Sequence, residues 1–134
     1  MNDAWATDWL RRFSSSEPTS LLDLYGEGAR FEDITLSQRV QGKRKLHVFF
    51  AGFMNPADRQ NSFTLVGYVG DGGGGAIEWT WTARHNADFL NVPARGKETS
   101  VRGVSVIRFE GGKIVDQRDY WDARTLMQQL GVNV

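Results

Sequence analysis

Two aspartates and a histidine stand near the ends of apolar runs. Asp33 closes a short run that includes Phe31, His85 closes the run 76–85, and Asp119 lies near the end of the run 113–121. A carboxylate held against apolar walls has its charged form penalised by desolvation. That lifts its pKa and makes it a competent base near neutrality. Imidazole, with an unperturbed pKa of about 6.5, moves protons in the same range. The chemistry open to such a set is proton transfer. Each residue also has a plain structural use. Asp33 could cap a loop amide, Asp119 could pair with Arg84, Arg102 or Arg118, and His85 could bond a backbone carbonyl. Asp122 stands where a helix N-cap belongs, and is a fourth candidate acid. His47, between Leu46 and Val48, reads as a surface or packing residue. Two histidines separated by a helix and two strands have no metal-ligand spacing, so neither a metal nor a cofactor is expected.

Composition narrows the field further. There is no cysteine, which removes disulfides, thiolate nucleophiles and Cys-ligated metals. Sixteen Lys and Arg balance sixteen Asp and Glu. A nucleic-acid binder needs a basic excess to neutralise phosphates, so that partner is not expected. The short basic run Lys43-Arg44-Lys45 reads as the solvated first turn of a helix. No apolar stretch approaches the roughly 18 residues of a membrane span. The start, Met1-Asn2-Asp3-Ala4-Trp5, is polar and acidic rather than basic, so no signal peptide and a cytoplasmic location are expected. A length of 134 residues, 40% of them hydrophobic, suits one domain over 1–134.

The elements that must carry these residues follow from periodicity. Trp5, Trp9, Leu10 and Phe13 form one apolar stripe of a helix of about three turns, broken at Ser14-Ser15-Ser16. Ser16-Glu17-Pro18 predicts a cap opening a second helix through Leu21, Leu22, Leu24 and Tyr25, ended by Gly26 and Gly28. Residues 29–34 read as extended and 35–38 as a turn. Gly42 introduces a third helix, Lys43–Met54, with Leu46, Phe49, Phe50 and Phe53 on one face, stopped by Asn55-Pro56. Strands are predicted over 62–70, 76–85, 99–109 and 113–121, then a closing helix over 123–130 stopped by Gly131. The run Asp71-Gly72-Gly73-Gly74-Gly75 is a hairpin turn, since it lacks the lysine and the following helix of a phosphate loop. Glu110-Gly111-Gly112 is a second turn. Strand alternation puts Val115, Gln117, Asp119 and Trp121 on one face, with Ile114, Asp116, Arg118 and Tyr120 on the other. It also puts Trp79 and Trp81 on a common face. Helices segregated onto one face of a bent antiparallel sheet make an α+β fold.

Several strings, in this order, resemble the nuclear transport factor 2-like (cystatin-like) superfamily. They are Tyr25 with Ala29-Arg30-Phe31-Glu32-Asp33, then Val40-Gln41-Gly42, then Glu78-Trp79-Thr80-Trp81 with His85. Pro93-Ala94-Arg95-Gly96-Lys97, Gly111-Gly112-Lys113-Ile114-Val115, and Asp119-Tyr120-Trp121-Asp122 before Gln129-Leu130-Gly131 complete the set. The nearest branch is the SnoaL-like polyketide cyclases, with ketosteroid isomerases and limonene-epoxide hydrolases more distant. The resemblance implies a strongly curved, mostly antiparallel sheet with helices on its concave face and a cone-shaped apolar pocket. Trp9, Phe31, Phe49, Phe53, Trp79, Trp81 and Trp121 would line that pocket and suit a small hydrophobic, ring-bearing ligand. Alternatively, Trp79 and Trp81 would be buried in a homodimer through the open face of the sheet, and such a dimer is expected.

The activity implied is cofactor-independent acid/base chemistry: proton abstraction next to a carbonyl, leading to cyclisation, isomerisation or elimination. Asp33 or Asp119 would be the base, with Asp119 and Asp122 competing for the acid on the last strand. His85 or an indole N–H would support the enolate. A noncatalytic binding or dimerisation module is the alternative. Steroid isomerase proper lacks support, because the first helix offers Trp5 and Trp9 but no tyrosine, and strand 99–109 offers Val104 or Ser105 but no acid. An epoxide hydrolase comes third, since Arg84-His85-Asn86 keeps the arginine of an Asp-Arg-Asp relay but replaces its second acid with an amide.

Overall fold

The computed structural model describes all residues from Met1 to Val134. Helix α1 (Asp3–Phe13) starts where Asn2 accepts a hydrogen bond from the Trp5 amide, and it buries Ala6, Trp9, Leu10 and Phe13. Ser14 ends it and ties it down: its hydroxyl donates to Leu10 O at 2.8 Å and accepts from Phe63 N at 2.9 Å. Helix α2 is a single turn, Thr19–Leu22, shorter than the leucine spacing predicts, and no side chain at Pro18 caps it. Tyr25 instead opens strand β1 (Tyr25–Asp33), running through Gly26 and Gly28. The reason is long-range. Ile114 N donates to Leu24 O and Tyr25 pairs with Ile114, so strand pairing takes residues that local helical pattern would have kept.

Strand β2 (Gln38–Gln41), helix α3 (Lys43–Met54) and strands β3 (Arg59–Asp71), β4 (Gly74–His85), β5 (Glu98–Glu110) and β6 (Lys113–Trp121) follow. Helix α4 (Ala123–Gln129) closes the chain, and Asp122 accepts from the Thr125 amide as its N-cap. The six strands form one open, curved sheet in the order β2-β1-β6-β5-β4-β3. All neighbours are antiparallel except β1 and β6, which run parallel with Asp33 opposite Asp119.

Helices α1 and α3 cover the inner face. Phe13 meets Phe50 at 5.2 Å between ring centres, and Phe50 meets Phe31 at 5.3 Å. Along β4, Ile77, Trp79, Trp81, Ala83 and His85 are buried, whereas Glu78, Thr82 and Arg84 are exposed. Both tryptophans therefore face inward. The outer face carries polar and charged side chains there, including a Glu78–Arg102 ion pair at 3.0 Å.

Alternation fails at one place on β6. A register shift places Asp116 opposite Arg108 but Ile114 opposite Phe109, leaving Val115 as an extra residue. Ile114 and Gln117 are consequently both buried, although strict alternation puts them on opposite faces. Beyond the bulge the expected phase holds, so Gln117, Asp119 and Trp121 share the inner side. The glycine run makes the predicted hairpin. A Cβ on Gly75 would lie 2.0 Å from Val69 O, so the β3–β4 approach tolerates no side chain.

Candidate active site

Between α1, α3 and the inner face lies a cavity of about 290 Å³. Trp9, Phe49, Phe53, Trp79, Trp81 and Trp121 line it, as do Asp33 and Asp119. Phe31 does not: its ring lies behind Phe49 (5.4 Å) and Phe50, in the layer that supports the wall. The tryptophans are packed against one another and their neighbours. Trp81 stands edge-on to Trp121 at 5.9 Å, and Phe63 meets Trp79 edge-on at 5.2 Å. Gly103 lies in register between Trp79 and Trp121. A Cβ there would sit 2.4 Å from the Trp79 ring and 2.9 Å from Trp121 Cβ, so two tryptophans fit on this part of the sheet only because the residue between them has no side chain.

The two aspartates reach the cavity from adjacent parallel strands. Asp33, 9% exposed, accepts from the Trp121 indole on both oxygens (3.2 and 3.0 Å) and from the Leu36 amide at 3.0 Å. The loop-capping use and the cavity position thus coexist in one residue. Asp119 is held differently. Its Oδ1 accepts from the Ser105 hydroxyl at 2.6 Å and from Gln117 Nε2 at 3.0 Å. Its Oδ2 has no partner and is not enclosed.

Behind these donors stand two chains whose direction is forced. An indole N–H can only donate. Trp79 donates to Ser105 Oγ at 3.0 Å, leaving that hydroxyl's single proton for Asp119. Trp9 donates to Tyr25 Oη at 3.3 Å, Tyr25 donates to Gln117 Oε1, and the amide passes a donor to Asp119. Burial raises the Asp119 pKa, the Ser105 and Gln117 donors pull it back, and the Asp33 charge raises it again. The result lies at about 7. Burial pushes the Tyr25 hydroxyl well above its ordinary value, so it stays protonated as a donor.

The other two predicted acid/base residues lie elsewhere. His85 is fully buried but behind the wall, its Nε2 2.9 Å from Thr99 Oγ1 and its ring against Trp81 and Phe89. Burial and the nearby Arg59 charge lower its pKa, which keeps it neutral. Asp122 is exposed and spends both oxygens on Thr125, to the amide at 3.0 Å and the hydroxyl at 2.6 Å. Those bonds hold its pKa below the usual carboxylate value. Helix capping explains it fully. Arg84 is exposed on the outer face and Asn86 donates to Pro56 O, so neither stands beside the cavity aspartates.

Four residues of the site lie outside the set predicted from sequence. Tyr25, Ser105 and Gln117 acquire their roles from the pairing of β1, β5 and β6. Arg59, the first residue of β3, lines the opposite end of the cavity. No free indole donor faces the cavity either: Trp9, Trp79 and Trp121 are committed as described, and Trp81 donates to Asn61 Oδ1 at 2.8 Å.

A model of the SnoaL-like domain matches residues 6–117. The chain belongs to this family. The matched span contains Asp33 and stops two residues short of Asp119. No curated protein matches the SnoaL-like chain in sequence. Among solved structures it is similar to TsrD from Streptomyces laurentii, with 20% identity, a TM-score of 0.81 and 99% of each chain covered. It is also similar to a Catenulispora acidiphila protein of ketosteroid isomerase-like fold solved with trimethylamine, at 16% identity, TM-score 0.81, covering 99% of this chain and 96% of that one. A Shewanella putrefaciens protein provisionally named a SnoaL-like polyketide cyclase has 14% identity and a TM-score of 0.82, covering 96% and 94%. At these identities the similarity establishes the fold.

Proposed function

We propose that this SnoaL-like protein is a cofactor-independent acid/base enzyme in which Asp119 removes and returns a proton at a carbon next to a carbonyl. The observation that carries the reading is the state of Asp119: one oxygen pinned by two donors, the other open to an aromatic cavity, and a pKa of about 7. A base is most effective when its pKa lies near the working pH, because it is then both present and strong enough. Asp33, opposite in register, contributes the like charge that helps to keep the value high.

In the forward step Asp119 Oδ2 takes the proton. The C–H electron pair becomes the carbon–carbon π bond of an enolate, and the carbonyl π pair moves onto oxygen. Attack of the enolate carbon on a second carbonyl within the substrate gives cyclisation, whereas reprotonation elsewhere gives isomerisation. Asp119 then returns its proton.

Oxyanion stabilisation restricts the substrate. The indoles lining the cavity are spent on protein acceptors and His85 lies behind the wall, so neither supports the enolate. A carbon acid flanked by two carbonyls spreads the charge over its own oxygens and asks least of an oxyanion hole. Ring-bearing β-dicarbonyl compounds therefore fit this cavity best.

The test is deuterium uptake from D2O at the central carbon of aryl β-keto esters, followed by proton NMR. Wild-type protein accelerates exchange with an apparent pKa of about 7, and Asp119→Asn loses on the order of a hundredfold or more of that acceleration. Equal rates in the two proteins would falsify the assignment.

A further inference from the structure

Arg59 is 9% exposed, yet no carboxylate lies within ion-pairing distance of it. Its guanidinium sits over the Phe53 ring at 5.5 Å and the Phe89 ring at 5.0 Å. Its Nη1 donates to Phe53 O at 2.7 Å, and its Nε is enclosed without a partner. The adjoining Asp58 acts on it only as a neighbouring charge.

Only two enclosed side-chain polar atoms in the protein lack a partner, Arg59 Nε and His85 Nδ1. These residues are directly paired across β3 and β4. Unmet hydrogen-bonding capacity is thus concentrated on this one residue pair. Of the two it is Arg59, a group that cannot discard its charge, that lines the cavity, whereas His85 lies behind the wall. A buried cation without a counter-ion is costly, and the flanking rings compensate only part of that cost. They also hold the guanidinium plane in place, with Nη1 spent on Phe53 O and Nη2 neither partnered nor enclosed, so Nη2 is the donor that an oxyanion in the cavity can reach.

We propose that Arg59 anchors a carboxylate group of the cavity's ligand. The missing counter-charge is the ligand's own. This inference rests on the cavity being the ligand site, as in the proposed function, but not on Asp119 being a base. It sets the ligand's direction, because an anion is repelled by the Asp33–Asp119 end. Along the wall, Asp33 bonds Trp121, Trp121 meets Trp81 at 5.9 Å, Trp81 meets Phe89 at 5.8 Å, and Phe89 lies under Arg59. The ligand class is therefore an aryl acid, with its carboxylate at Arg59 and its reacting carbonyl carbon past the Trp81 and Trp121 rings.

Isothermal titration calorimetry with aryl carboxylates, from benzoate to 2-naphthoate, against their primary amides tests this. The amides match the acids in shape and lack only the charge. Wild type prefers acid over amide by about tenfold or more, Arg59→Lys retains part of the preference, and Arg59→Gln abolishes it. Asp119→Asn loses exchange activity but retains or strengthens the preference, because it removes a repelling carboxylate from the other end, so loss of exchange activity and loss of anion binding are separable. Amides binding as well as acids, no carboxylate binding at all, or an undiminished preference in Arg59→Gln each overturn the proposal. The wild-type acid–amide comparison decides the matter even where Arg59 variants fold poorly.

Discussion

The two ends of the cavity treat charge in opposite ways. At the aspartate end, donors arrive in fixed directions: on Asp119 from Trp79 through Ser105 and from Trp9 through Tyr25 and Gln117, and on Asp33 from Trp121 directly; one oxygen, Asp119 Oδ2, is left open. At the arginine end, a guanidinium that cannot deprotonate stands between two rings without a counter-ion. The same low dielectric acts on both. Asp119 answers it by moving its pKa to the middle of the pH scale, whereas Arg59 can only wait for an anion. A group that can change its charge suits chemistry, and one that cannot suits binding.

Four changes test this contrast. Gly103→Ala attacks the wall between the two ends. The buried Trp79 ring must move, costing about 3 kcal/mol in chemical denaturation, with loss of ligand binding at both ends.

Asp119→Asn acts at one end only. The folded pKa of Asp119 is raised, so its contribution to stability is complete below about pH 4 and is lost as pH rises through about 7. The neutral amide escapes that loss. The variant is expected to be about 2 kcal/mol more stable than wild type at about pH 8, with the gap closing in acid. Activity and stability then move in opposite directions at one residue. His85 has a lowered pKa and acts in the other sense, its contribution fading as pH falls below about 6.5 in both proteins.

Ser105→Ala removes one donor from the Asp119 carboxylate. The Asp119 pKa, followed by NMR titration of its carboxyl resonance, should rise by about one pH unit, roughly 1.4 kcal/mol. An unchanged value would mean that the Trp79–Ser105 chain does not hold the base. The smallest effect is expected at Asp122→Ala: about 1 kcal/mol of stability from the lost α4 cap, with deuterium exchange unaltered.

Elements whose local pattern agrees with their packing were readable from residues alone. Helix α3 and strand β6 have the predicted bounds, and the inward phase of Asp119 and Trp121 follows from alternation. Sequence reading failed where distant pairing overrode local preference. Leu21, Leu22, Leu24 and Tyr25 look helical until β6 claims Tyr25, and Ile114 changes face because Val115 bulges. The site divides the same way. Asp33 and Asp119 are visible as carboxylates near strand ends. Arg59 is one arginine among many until the fold shows it buried and unpaired. Asp122 and His85 carry the right chemistry by type, but one is consumed by a cap and the other lies behind an aromatic wall.

The parallel pairing of β1 with β6 also bears on how the protein folds. Thr35 Oγ1 both accepts from Trp121 N and donates to Trp121 O across 86 residues, and this junction sets Asp33 beside Asp119. Most of the chain must be looped out before that contact rewards the closure, and contacts of such long range slow folding. The hairpins of β3 to β6 need no such closure. The two carboxylates therefore share a site only through a contact that closes most of the chain, and until β1 and β6 pair, the like charges of Asp33 and Asp119 stay apart.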